Sequence, residues 1–94
     1  MQFAHDKYYD LVITAPTSFN IHIERDGGGF LAVYKRTAGK NWDLIGQLPR
    51  HRVMDADIHN TIEREFLIRS ESKPTLCAIS FAEGEMVNID LSNL

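Results

Sequence analysis

Four histidines, one cysteine, a triple glycine and a Ser-x-x-Lys string are the parts of this 94-residue chain whose chemistry could go beyond packing. The glycines stand in "RDGGGF" (25–30). A glycine loop cradles phosphate when it opens onto a helix N-terminus or forms a nest of backbone N–H groups. Here a β-rich run, "FLAVYKR" (30–36), follows instead, without the Lys-Ser/Thr pair of a P-loop. The spacing predicts a hairpin turn between strands at 19–25 and 30–36.

The other candidates have similarly plain readings. Asp55 and His59 stand four apart, with Asp57 between them and His51 upstream. A metal site needs three or four converging ligands with supporting hydrogen bonds, and a lone Asp/His pair on a helix is more often solvated. No metal and no cofactor is expected. His22 alternates with Ile21 and Ile23, which assigns it to the less apolar face of its strand. "SESK" (70–73) falls in a loop before Pro74, not at the helix start that Ser-x-x-Lys acyl transfer uses. Cys77, in "LCAISF", is expected as a buried, inert thiol. With no catalytic residues in view, the chain is not expected to be an enzyme.

A basic and aromatic stretch is more informative. Tyr34, Arg36, Lys40, Trp42, Arg50 and Arg52 lie within nineteen positions, with Lys35 among them. Together they form a candidate partner-binding surface, suited to an acidic protein, a phosphate-bearing ligand or stacked single-stranded nucleic acid. Alternation along a strand offers a commoner arrangement, in which Tyr34 and Trp42 turn towards the core and the charges only solvate the far side.

The elements that would hold these residues are mostly strands. Runs 8–15, 19–25, 30–36 and 41–48 alternate or are β-rich, and turn chemistry separates them, which reads as an antiparallel meander. Trp42, Leu44 and Leu48 are assigned to one face of the fourth run. Pro49 ends the meander. In "VMDADIHNTIEREFLIR" (53–69), Ile58, Ile62 and Phe66 recur every four residues, and Asp55 or Asp57 can cap the amino end, so a helix is predicted. Its last residues, 65–69, could instead be extended. "SESKP" (70–74) reads as a loop. Strands at 75–82 and 86–91 follow, joined by a tight hairpin through Gly84. The expected fold is α+β: a twisted antiparallel sheet of about six strands, ordered β-β-β-β-α-β-β, with one helix packed on it. Residues 1–94 are expected to form a single domain.

Composition narrows the function. The chain is 44% hydrophobic and 24% charged, which argues for a folded protein and not a disordered one. A net charge of −3 disfavours a dedicated nucleic-acid binder, because phosphate neutralisation needs a strong basic face. No apolar run is long enough to span a bilayer, and the amino terminus lacks the order of a secretory signal. With a single cysteine, a cytoplasmic setting is expected.

One helix about 10–12 Å across would leave much of a six-strand sheet bare. A homodimer or another protein partner is therefore expected to cover it. The leading reading is a small non-catalytic binding or regulatory protein acting through protein–protein contact, of the kind found among bacterial or phage accessory proteins. A nucleic-acid-associated regulator using the 34–52 patch is a second reading. A small metal- or ligand-dependent enzyme is a third.

Overall fold

A computed structural model describes residues 9–24, 30–37, 39–49, 53–71 and 75–91. These residues form eight strands: β1 (Tyr9–Ala15), β2 (Phe19–Glu24), β3 (Phe30–Arg36), β4 (Trp42–Pro49), β5 (Val53–Ile58), β6 (Arg64–Ser70), β7 (Leu76–Phe81) and β8 (Met86–Asp90). The strands make two four-stranded antiparallel sheets, ordered β1-β6-β3-β4 and β5-β2-β7-β8.

The inner faces are built by period-two alternation. In the first sheet Leu31, Val33, Phe66 and Ile68 are buried, with Leu11 and Ile13 packed against them. In the second, Phe19, Ile21, Ile23, Ile58, Cys77 and Ile79 are buried. Both sets belong to one core cluster, so the sheets pack face to face as a sandwich. Phe19 of β2 meets Phe66 of β6 edge-on across the core, with ring centroids 4.9 Å apart and planes at 68°. Each fully buried Ile or Phe contributes roughly 1.5–3 kcal/mol.

The expected helix is not there: residues 53–69 form two strands, and no helix occurs among the strands of the described chain. The α+β expectation is therefore replaced by an all-β fold. The period-four spacing of Ile58, Ile62 and Phe66 proves accidental, because Ile62 is 59% exposed in the link between β5 and β6. A period-two signal was also present. Phe66, Ile68 and Ser70 are buried while Leu67 and Arg69 point the other way, and tertiary pairing selects that pattern. β6 is inserted between β1 and β3, which satisfies its backbone on both sides. The Asn60 amide secures the link by donating to the Ala15 carbonyl at 2.9 Å and to the Ile62 carbonyl.

The meander is corrected too. β1 and β2 belong to different sheets, as do β2 and β3, so the triple-glycine segment connects sheets and does not close a hairpin. Residues 25–29 themselves lie outside the described residues. The hairpins within a sheet are β3–β4 and β7–β8, and the second turns through Gly84 at φ 94°, as expected. Phe81 N–H donates to the Glu85 carbonyl at 2.8 Å and closes that turn. Ser70 ends β6 and is not part of a loop. The argument from a narrow helix also lapses, since a whole second sheet shelters the inner face of the first.

The two readings of 53–69 predict different stability profiles. A shared helical stripe would make Ile62→Ala and Phe66→Ala comparably damaging. In the sandwich, Phe66→Ala should cost about 3–5 kcal/mol in urea unfolding and Ile62→Ala less than about 0.5 kcal/mol. Equal losses would restore the helix.

Candidate functional site

The outward faces of the two sheets differ in chemistry. On the second sheet, register sets Asp55 beside His22 and Asp57 beside Asn20. His22 Nδ1 lies 2.7 Å from Asp55 Oδ1, and the Asn20 amide donates to Asp57 Oδ1 at 2.7 Å. Glu24, Asn88 and Asp90 extend this polar surface. His22 thus takes the less apolar face, as alternation implied.

The first sheet presents a different outer face. Cross-strand neighbours share a face. Val12 of β1 pairs with Leu67 of β6, Leu67 with Tyr34 of β3, and Tyr34 with Leu44 of β4. An apolar and aromatic row therefore crosses the full width of the sheet on its solvent side. Val12 is 53% exposed and Leu44 51%, while Leu67 and Tyr34 are half-buried by their neighbours. No described element packs over this row.

Charged pairs flank it on both sides. On one side Arg69 donates two hydrogen bonds to Asp10, at 3.0 and 3.2 Å. On the other, Arg36 donates to Glu65 at 2.8 Å and lies 5.5 Å over the centre of the Trp42 ring. These partly exposed pairs contribute little to folding but fix the positions of their side chains. Ala32 sits between Arg69 and Gln47 in register, and its small side chain floors a depression of about 350 Å³. Phe30, Tyr34 and Glu71 complete its walls.

β4 reaches this geometry through a bulge. Val33 pairs with Gly46 and Tyr34 with Leu44, so Ile45 is an extra residue with no partner of its own. The alternation changes phase there: Trp42 and Leu44 share the outer face, whereas Leu48 pairs with Leu31 of the core register. The expectation that Trp42, Leu44 and Leu48 share one face is corrected accordingly.

Of the six candidate partner-binding residues, Tyr34, Arg36 and Trp42 are brought together on this face. The commoner arrangement, with Tyr34 and Trp42 in the core, is not the one adopted. Lys40 stands at the exposed β3–β4 turn with φ 77°. Arg50 and Arg52 lie outside the described residues. Sequence reasoning missed Val12, Leu67, Glu65 and Arg69 as members of the face. The signal for Val12 was its place between Leu11 and Ile13, an apolar residue on the wrong side of the alternation.

The enzymatic candidates disperse. Asp55 lies on a strand facing His22, and His59 follows the end of β5, so the helical pairing of Asp55 with His59 does not exist. Among the described residues no three His, Cys, Asp or Glu side chains gather as metal ligands would. A depression of about 220 Å³ includes Asn20, Asp57, His59 and Ser80 in its lining, but Asn20 and Asp57 already bond to each other. Cys77 is buried in the core.

Fold and site together define a β-sandwich with one polar outer face and one apolar outer face framed by ion pairs. No protein-family model matches the chain, and neither a curated protein nor a solved structure shows significant similarity to it. No helix among the described residues is long and apolar enough to cross a membrane.

If the apolar row serves binding and not folding, removing it should hardly alter stability. Val12→Thr and Leu44→Thr keep β-compatible side chains, and each is expected to change urea stability by less than about 0.5 kcal/mol. A loss above about 2 kcal/mol for either would make the row part of the core.

Proposed function

We propose that this protein is a non-catalytic binding module that recognises a protein partner through the outer face of its first sheet. The reading rests on the Val12–Leu67–Tyr34–Leu44 row, which crosses the sheet on its solvent side. Contiguous apolar patches rimmed by polar residues mark interaction surfaces. The composition of the face follows interface preferences: Trp42, Tyr34 and two arginines are the residue types that supply most binding energy.

The ion pairs favour a protein over a nucleic acid. Arg36 is matched by Glu65 and Arg69 by Asp10, and Glu71 adds a further carboxylate, so these residues leave the face without an excess of positive charge. Phosphate binding needs uncompensated positive charge. A reducing compartment is the setting that suits the single, buried cysteine.

A photo-crosslinking amino acid placed at Leu44 and, separately, at Asn88 on the polar sheet tests the reading in living cells. Protein adducts of any composition should form from position 44 and not from position 88. Absence of adducts at 44, or equal yield at both positions, would overturn it.

A further inference from the structure

Resting on that reading, we propose that the partner of this face is a second copy of the chain. The two first sheets pack face to face about a twofold axis that runs along the Val12–Leu67–Tyr34–Leu44 row.

The argument comes from the three rows that register sets side by side. The middle row is apolar. The row on one side reads Asp10, Arg69, Ala32 and Gln47, and includes the hollow over Ala32. The row on the other reads Thr14, Glu65, Arg36 and Trp42, where the guanidinium stacked on the indole makes a bulky ridge. A twofold axis along the middle row lays each apolar side chain near its own copy. It also turns the hollow row of each copy onto the ridge row of the other. Arg36 and Trp42 of one copy then meet Ala32 and Gln47 of the partner, ridge into hollow, and this occurs twice.

Charge follows the same symmetry. Arg69 faces the partner's Glu65, Glu65 faces the partner's Arg69, and Asp10 faces the partner's Thr14. Within these three rows no like charges are opposed. The alternative in-plane twofold, parallel to the strands, sets ridge row against ridge row and leaves the hollows facing each other. Self-complementarity of a single patch is the requirement of a two-fold interface, and near-parallel strand directions suit sheet-on-sheet packing.

The size of the face sets the strength. Four strands about 4.8 Å apart and seven residues long give roughly 400 Å² of flat area per copy. This is at the small end for specific complexes. The pairing is therefore a concentration-dependent equilibrium and not an obligate dimer.

Sedimentation velocity of the purified chain over a wide concentration range provides the test, with Trp42 as an intrinsic reporter because it is the single tryptophan. The expected result is a shift from 10.7 kDa towards twice that mass as concentration rises. Emission should move to the blue in parallel as the indole leaves water. Arg69→Glu and Glu65→Arg should each remain monomeric, since each opposes like charges across the axis. Their equimolar mixture should recover the dimer, because Glu at 69 of one chain then meets Arg at 65 of the other. Ala32→Phe, which fills the hollow without changing charge, should also be monomeric and covers the case in which a charge variant fails to fold.

A wild-type chain that stays monomeric throughout would overturn the proposal, as would a dimer that Ala32→Phe leaves unchanged. Failure of the mixture to recover association, with both single variants folded, would overturn it too. None of these results touches the broader reading, which falls if crosslinking at position 44 captures no protein or no more than position 88 does.

Discussion

The edge-on contact of Phe19 with Phe66 marks the constraint on which the rest of the molecule depends: two sheets must bury each other's inner faces at once. Neither sheet can be stable alone, because each presents a row of Ile, Leu, Val and Phe that only the other covers. The chain meets this demand by crossing between sheets at nearly every step, staying within one only at β3–β4 and β7–β8. Partners in a sheet are consequently far apart in sequence, as Tyr9 is from Ser70. Such topology ties local structure to global assembly and slows folding relative to local hairpins.

Once the inner faces are committed, the outer faces are free to differ, and they do. The second sheet carries Asp55 with His22 and Asp57 with Asn20, side chains that prefer water and satisfy one another across the ladder. The first sheet carries Val12, Leu67, Tyr34 and Leu44 in one row, between two ion pairs. Folding alone does not require that asymmetry. A sheet whose outer face only needed solvating could carry polar residues throughout, as the second sheet largely does.

The charge of the face differs from that of the stretch of sequence that supplies it. The chain's basic stretch becomes something less basic in three dimensions, because β6 delivers Glu65 to Arg36 while β1 delivers Asp10 to Arg69. Among the described residues, the part of that patch formed by Tyr34, Arg36 and Trp42 joins an apolar surface with paired charges at its margins. Charges so arranged add direction and register to an apolar contact more than they add affinity.

Six of the eight strands were legible in the residues. Alternation, turn chemistry and a tight Gly84 turn locate them to within a residue or two, because period-two burial is a local signal. Residues 53–69 were not, since they satisfy periods of both two and four, and only their neighbours choose. β6 becomes a strand because β1 and β3 offer ladder partners on both sides. Strand partnership was equally hidden: nothing local in "RDGGGF" says whether the next strand returns beside the last or crosses to another sheet. For the candidate site, the sequence alone supplied Tyr34, Arg36 and Trp42 as residue types worth watching. Tertiary register decided that they face outward together, beside Val12, Leu67 and Leu44 drawn from three strands. Which side chains stand shoulder to shoulder on a sheet is set by long-range pairing, and pairing is a property of the whole chain.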